Sequence, residues 1–145
     1  LKPGQTVVYL LDASGSMGAA GKFAHAQAAL AATLAAQPEG VRFQVFVYDW
    51  SAWPLAPGGT VPATPANVRA VAAQLAAVEP RGRSNHLVAL RSALEARPDA
   101  VVWLSDAADL SAAALAPVRK AAGRSVPVYV CLITAERVEQ PRELK

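Results

Sequence analysis

Residues 6–17, TVVYLLDASGSM, decide the fold of this chain. The run from Thr6 to Leu11 is almost wholly apolar and rich in β-branched residues, which is typical of a strand buried on both faces of a parallel sheet. Asp12 ends this run, and the small residues that follow it interrupt any regular element. We therefore expect a central strand that leads directly into a polar loop.

Segments of helix and strand type alternate along the rest of the chain. Helix formers without proline predict a helix over 21–37, and alternating apolar residues predict a strand over 41–48. The other predicted elements are a return strand over 51–56, helices over 65–78 and 87–96, a strand over 100–104, a helix over 110–122, a strand over 126–133 and a last helix in the charged ending 134–145. This order predicts an α/β, Rossmann-like three-layer domain: a mostly parallel central sheet with one antiparallel edge strand and helices on both faces.

The composition is that of one folded domain. The 145 residues have a mass of 15.1 kDa, and 53% of them are hydrophobic whereas 17% are charged. Such a chain is too apolar for intrinsic disorder and too short for a second sizeable domain. Its single cysteine, Cys131, has no partner for an intramolecular disulfide, so cysteine usage leaves the redox compartment undetermined.

The charge pattern argues against a nucleic-acid partner, and the length of the apolar runs argues against a membrane-spanning helix. The net charge is +3, but the basic residues are scattered, and only Arg81 and Arg83 form a short cluster. A nucleic-acid groove needs a stripe of basic side chains, so we expect no nucleic-acid partner. No apolar run reaches the roughly 18 residues of a membrane span, so membrane anchoring would depend on sequence outside this segment.

Oxygen-bearing side chains collect where predicted strands end. Asp12, Ser14 and Ser16 follow the first strand, Asp106 follows the strand over 100–104, and Ser84 precedes the third helix. Ligands of open α/β sheets bind outside the carboxyl ends of the strands. Carboxylate and hydroxyl oxygens suit Mg²⁺ or Mn²⁺, so these five residues form a candidate metal site.

Three segments carry a family resemblance. VVYLLDASGSM, GRSNHLVAL and VVWLSDA resemble, in this order, the metal-site segments of the von Willebrand factor type A (VWA) domain. The resemblance covers residues 6–133, and the alanine and arginine bias favours a bacterial member. The family usually continues through a further helix and strand. We therefore expect residues 1–145 to be a single VWA-like domain that lacks the usual C-terminal helix and strand or is cut from a longer protein.

The resemblance implies a metal-ion-dependent adhesion site. Ser14 and Ser16 would bind the ion directly, Ser84 would replace the usual threonine, and Asp12 and Asp106 would act directly or through water. The implied ion is Mg²⁺, with Ca²⁺ and Mn²⁺ as alternatives, and a partner's Asp or Glu would complete its coordination. Ser84 lacks the methyl group that stiffens threonine, and Ala107 stands where glycine often follows the aspartate.

Each of these residues also has a more ordinary interpretation. A lone Ser16 or Ser84 is typical of a helix N-cap, and a lone Asp106 of a turn. His25 is expected to be a surface or packing residue in a helix, and His86 is expected to border the site without binding metal. Asp49 is expected in a turn or next to the metal ligands, not as a ligand itself. Trp50 and Trp53 are expected to cover the sheet edge, with an exposed contact pair as the alternative.

The segment around Ser16 can also be compared with the sequence patterns of two enzyme classes. The segment GSMGAAGK fails the phosphate-loop pattern, because that pattern needs glycine at position 16 and Ser or Thr at 23. SGSMG around Ser16 is similar to a nucleophile elbow, but no histidine follows Asp106 as the hydrolase order requires. A serine hydrolase that uses Ser16 is therefore the alternative to a binding module.

The predicted function is metal-dependent protein binding without catalysis. The partner is expected to present a carboxylate to the ion, and Arg81 and Arg83 are expected to favour its approach. A monomer is favoured over an oligomer. An extracytoplasmic or membrane-anchored location is favoured over the cytoplasm.

Overall fold

A computed structural model describes residues 1–107 and 110–145 of the chain. The described residues form seven strands and four α-helices. The strands are β1 (Thr6–Asp12), β2 (Arg42–Tyr48), β3 (Ala52–Pro54), β4 (Val61–Pro62), β5 (Ala100–Ser105), β6 (Val128–Leu132) and β7 (Arg142–Glu143). The helices are α1 (Lys22–Ala35), α2 (Pro65–Ala76), α3 (His86–Glu95) and α4 (Ala112–Ala121). A 3-10 segment, Gly15–Gly21, precedes α1 and is interrupted by a kink at Ala19 and Ala20.

The strands form a mixed sheet in the order β3-β2-β1-β5-β6-β7, with β4 also paired to β2. β2, β1, β5 and β6 are parallel, and the short strands at the two edges are antiparallel to their neighbours. The predicted α/β fold class is confirmed. The register pairs Asp12 with Tyr48 and Leu11 with Leu104, so the ends of β2, β1 and β5 lie at the same edge of the sheet.

The two faces of the sheet contribute to two hydrophobic cores. In β1, Val7, Tyr9 and Leu11 pack into one core, together with residues of α1 and α2. Val8 and Leu10 pack into the other core, together with residues of α3 and α4. Both faces of β1 are therefore buried, which explains why its sequence is a continuous apolar run rather than an alternating one.

The predicted helix over 134–145 is wrong. The Thr134 side-chain oxygen accepts hydrogen bonds from the backbone N–H groups of Glu136 and Arg137, which closes a turn in place of a helix start. Pro141 has no backbone N–H to continue a helix. The chain instead returns as β7 along β6, a second antiparallel edge that the sequence pattern did not predict. Among the described residues, no helix is long and apolar enough to cross a membrane.

Candidate metal centre

The carboxylate of Asp12 is fixed at the end of β1. Its Oδ1 accepts a hydrogen bond from the backbone N–H of Ser14 at 2.9 Å, and its Oδ2 accepts one from the Ser105 hydroxyl at 2.6 Å. Asp12 is only 1% exposed. Burial of a carboxylate is costly unless hydrogen bonds satisfy it, and these two bonds do so while setting its orientation.

Three polar side chains form a row of contacts at the same edge of the sheet. The hydroxyl oxygens of Ser14 and Ser16 are 3.3 Å apart. The Ser16 hydroxyl donates a hydrogen bond to Oδ1 of Asp106 at 3.1 Å. The two serines follow the end of β1 and Asp106 follows the end of β5, so the structure brings together residues 90 positions apart in the sequence.

The serine side chains make no capping hydrogen bonds. Ser14 occupies the N-cap position of the 3-10 segment, but its side chain accepts no bond from that segment. Asn85, not Ser84, caps α3 through a bond from Val88 N–H to the Asn85 side chain. Ser16 lies inside the 3-10 segment, and its hydroxyl contacts Ser14 and Asp106. The ordinary capping interpretation therefore does not account for Ser16 or Ser84.

The loop 81–85 is attached to the loop after β1 by backbone hydrogen bonds. Gly15 N–H donates to the Gly82 carbonyl and Arg81 N–H donates to the Ala13 carbonyl, both at 2.8 Å. A Cβ at Gly15 would lie 3.4 Å from the Gly82 carbonyl oxygen, so the two backbones approach closely. This attachment carries Ser84 to the edge of the sheet where the other predicted site residues lie.

Asp49 has the turn role that the sequence predicts. Its carbonyl accepts a hydrogen bond from Asn85 N–H at 2.7 Å, and its Oδ1 accepts one from Ser51 N–H at 3.0 Å. Asp49 therefore joins the turn after β2 to the start of α3. This contact holds the loop 81–85 from its other end.

An aromatic chain connects Ser84 to the core. Trp103 Nε1 donates to the Tyr48 hydroxyl at 2.7 Å, and this hydroxyl lies 2.9 Å from His86 Nδ1. The other ring nitrogen of His86 lies 3.4 Å from the Ser84 hydroxyl. Burial, reinforced by the negative charges of Asp12 and Asp106, raises the pKa of Tyr48 well above its usual value. Tyr48 thus stays protonated and able to serve this chain of hydrogen bonds.

Lys22 reaches the same cluster from the start of α1. Its Nζ lies 3.0 Å from Oδ2 of Asp106, while the other oxygen of Asp106 accepts the bond from Ser16. The Lys22 side chain is 24% exposed and that of Asp106 is 10% exposed. The pair is therefore shielded from much of the solvent, and the ammonium group lies directly at the candidate site.

The donor set has the chemistry and spacing of a hard-cation site. Neighbouring ligands of an octahedral ion with metal–oxygen distances of about 2.1 Å are about 3.0 Å apart. The spacings of 3.3 Å between Ser14 and Ser16 and 3.1 Å between Ser16 and Asp106 are close to this value. Among the residues that the structure describes, no three His, Cys, Asp or Glu side chains converge on one point, so the serine hydroxyls are essential to any such site.

Three residues of this cluster have supporting contacts that the sequence did not predict. Ser105 holds Asp12, Tyr48 connects His86 to the core, and Lys22 pairs with Asp106. The place of Ser105 at the end of a buried strand marks it as a residue near the site, but not as the partner of Asp12. Lys22 carries no such signal, because its contact depends on the backbone conformation before α1.

An exposed tryptophan lies at the rim of this edge. Trp50, in the turn after β2, is 58% exposed, and the guanidinium carbon of Arg83 lies 4.9 Å from the centre of its ring. Trp53 is half-buried and packs against the core. The expectation that both tryptophans cover the sheet edge is therefore wrong for Trp50, because its side chain is left at the surface.

The family relationship follows from a comparison with known families. The model of the von Willebrand factor type A domain matches residues 5–141. The chain therefore belongs to the VWA family, whose members are typically protein-interaction modules. A search of the curated proteins found no match to the sequence.

Solved structures with the same fold share little sequence with the chain. A von Willebrand factor type A protein from Catenulispora acidiphila has a TM-score of 0.75 at 17% identity, over 88% of this chain and 33% of its own. An aerotolerance-related membrane protein from Bacteroides fragilis has a TM-score of 0.71 at 17% identity, over 90% and 68%. Proximal thread matrix protein 1 from the mussel byssus, with a zinc-occupied MIDAS motif, has a TM-score of 0.61 at 15% identity, over 90% and 35%. The chain thus spans about a third of two of these proteins.

Proposed function

We propose that this domain binds a partner protein through a divalent cation held at the ends of β1 and β5. The observation that carries the proposal is the row of Ser14, Ser16 and Asp106 oxygens, spaced at 3.3 and 3.1 Å. These three side chains would bind the ion directly. A hard cation with few protein carboxylates favours an anionic oxygen at its open position, so the partner would supply an Asp or Glu.

Asp12 and Ser84 have supporting places in this proposal. Both oxygens of Asp12 already accept hydrogen bonds, so Asp12 would act on the ion through water and through the orientation of Ser14. Ser84 would approach from the loop 81–85, with His86 positioning its hydroxyl. His86 itself bonds to Tyr48 and is not proposed as a ligand.

Mg²⁺ is the proposed ion, with Ca²⁺ and Mn²⁺ as alternatives. Hydroxyl and carboxylate oxygens are hard ligands, and Mg²⁺ commonly keeps waters when it binds to few protein groups. The mussel protein in its zinc-bound form indicates that this fold can hold a different divalent ion. The oxygen donors here favour Mg²⁺ or Mn²⁺ over zinc, which is usually held by nitrogen and sulfur.

The rim of the site would contact the partner. Arg81 and Arg83 are exposed on the loop that borders the site, and their charges would favour the approach of an acidic segment. Arg83 lies over Trp50, which would present a flat apolar surface beside the ion. Exposed aromatic and arginine side chains are common at protein interfaces.

An extracytoplasmic or membrane-anchored setting is proposed for the whole protein. The Bacteroides relative is a membrane protein, and the mussel relative belongs to a byssus matrix. Any anchor of the present chain would lie in sequence outside these residues. The domain itself would act as a monomer, without nucleic acid as a partner.

The alternative is a hydrolase that uses Ser16. The Ser16 hydroxyl contacts Ser14 and Asp106. In serine hydrolases a histidine accepts the proton of the serine hydroxyl, and neither of these two residues is a histidine. The nearest serine–histidine pair in the site is Ser84 with His86, at 3.4 Å, which is long for activation of a nucleophile. A hydrolase screen tests the alternative: turnover abolished by Ser16→Ala at unchanged stability would support catalysis.

Partner capture in Mg²⁺ and in EDTA tests the proposed function. The immobilised domain is expected to retain its partner in Mg²⁺ and to release it in EDTA. Ser14→Ala is expected to capture less partner than the wild type in Mg²⁺ and none in EDTA. Replacing the acidic residues of the partner's contact segment should have the same effect as EDTA. Binding that survives EDTA, or survives loss of those acidic residues, would contradict the metal bridge.

A further inference from the structure

We propose that Lys22 is an intramolecular cation that competes with the divalent ion for Asp106. This inference rests on the proposed metal site. Its first support is the ion pair itself, with Lys22 Nζ 3.0 Å from Asp106 Oδ2 and Asp106 only 10% exposed. Two cations cannot both neutralise this one carboxylate at short range without repelling each other. Binding of the metal would therefore require the ammonium group to move away.

The position of Lys22 on its helix is a second support. Lys22 is the first residue of α1, where the helix macrodipole places partial positive charge and disfavours a cation. No acidic residue in the first turn of α1 offsets this placement. The favourable partner comes from β5, 84 positions away in the sequence. Lys22 is thus unfavourable for its own helix and gains its ion-pair partner at the candidate site. Such a conflict between local preference and position is typical of functional residues.

The backbone before Lys22 is a third support. Ala20 has φ of 55° and Gly21 has φ of 72°, so two successive residues adopt the left-handed conformation. Alanine rarely adopts this conformation, because its Cβ then crowds the backbone. This kink lies inside the segment Gly15–Gly21 and separates the turn that carries Ser16 from the helix that carries Lys22. Both side chains can thereby reach Asp106, one at each carboxylate oxygen.

Competition would give the site two alternative cations. In the ammonium-paired state, Asp106 is fully engaged, and among the described residues every buried side-chain nitrogen and oxygen has a hydrogen-bond partner. The described polar groups of the site therefore have partners before a metal binds, and Lys22 would lower the affinity of the site for the ion. The carboxylate would pass from the ammonium group to the metal, and the freed lysine side chain would extend into solvent.

Calorimetric titration of Mg²⁺ and Mn²⁺ into Lys22→Met tests this inference. The variant keeps the length of the side chain without its charge and is expected to bind the metal on the order of tenfold more tightly than the wild type. Lys2→Met removes the same charge at the other end of β1 and is expected to bind like the wild type. Without metal, Lys22→Met is expected to melt at a lower temperature, because Asp106 has lost its partner.

Competition predicts that Lys22→Met binds metal more tightly and is less stable without metal. This combination distinguishes competition from a merely structural role of Lys22. If Lys22 only supported the site, Lys22→Met would lose both stability and metal affinity, and that result would overturn the inference. Equal affinity of wild type and variant would also overturn it, while leaving the metal site intact. Absence of binding in both proteins would instead overturn the proposed metal site and the competition together.

Discussion

The Ser105 hydroxyl donates a 2.6 Å hydrogen bond to Oδ2 of Asp12, so the last residues of two adjacent parallel strands hold each other at the edge of the sheet. Both residues are buried. The other oxygen of Asp12 fixes the backbone of Ser14. The orientation of the candidate ligands therefore depends on a strand end that contributes no ligand by itself.

Ser105→Ala is expected to destabilise the domain by about 1–3 kcal/mol, because it leaves a buried carboxylate oxygen without its donor. Urea denaturation of wild type and variant measures this change. Ser125→Ala, which alters an exposed serine, serves as the control and is expected to remain within about 0.5 kcal/mol of the wild type. Equal stability of all three proteins would show that the Asp12–Ser105 bond does not hold the site.

Ser84→Thr is expected to tighten binding of the divalent ion by about two- to fivefold. The added methyl group restricts χ1, so less side-chain entropy is lost when the hydroxyl is fixed. Competition with a metal-sensitive dye measures the affinity, with Ser84→Ala as the variant that lacks the hydroxyl. Indistinguishable affinities for the threonine and alanine variants would remove Ser84 from the proposed ligand set.

The domain is expected to lose stability at alkaline pH through its buried tyrosines. Burial raises the pKa of Tyr9, whose hydroxyl donates to Gln37. Above the ordinary tyrosine pKa of about 10, the unfolded chain releases this proton and the folded chain keeps it, so the free energy of unfolding falls as the pH rises further.

Tyr9→Phe removes one of these titrating groups and is expected to reduce the alkaline loss of stability. Burial also raises the pKa of Tyr48, so Tyr48 is expected to cause the alkaline loss of stability that remains in this variant. Urea denaturation at about pH 9 and about pH 11 brackets the ordinary tyrosine pKa. An identical loss in wild type and Tyr9→Phe would contradict the burial argument.

Charge reversal at Arg81 and Arg83 is expected to act mainly on the rate of partner association. Exposed charges steer an approaching acidic segment, and salt screens them over about 10 Å at 0.1 M ionic strength. Surface plasmon resonance with the captured partner should give slower association for the double variant Arg81→Glu/Arg83→Glu than for the wild type at low salt. The difference between the two association rates should shrink as the salt concentration increases. A difference that is unchanged in high salt would contradict steering.

The sequence predicted the centre of the fold because its signals there are local. Burial on two faces is enough to explain the apolar run of β1. The polar residues after the strands lie together because parallel strands end at the same edge of the sheet. Ser14, Ser16 and Asp106 meet for that reason. Their role as metal ligands remains a prediction.

Other features depend on tertiary context that no local pattern reports. The ending 134–145 has helix-compatible residues, but the Thr134 turn and the free edge of β6 favour a strand. Lys22 contacts Asp106 only because left-handed residues precede α1. Trp50 is exposed because the short return of β3 places Trp53, rather than Trp50, against the core.

Isothermal titration of Mg²⁺ and Mn²⁺ into wild type, Asp12→Ala and Ser14→Ala tests the central claim most directly. The wild type is expected to bind one ion. Ser14→Ala lacks one ligand and is expected to bind the ion at least tenfold more weakly. Asp12→Ala lacks the carboxylate that fixes the loop after β1 and is expected to bind the ion weakly or not at all. Ser125→Ala is expected to match the wild type. Equal heats and affinities for all four proteins would contradict a metal site at the ends of β1 and β5.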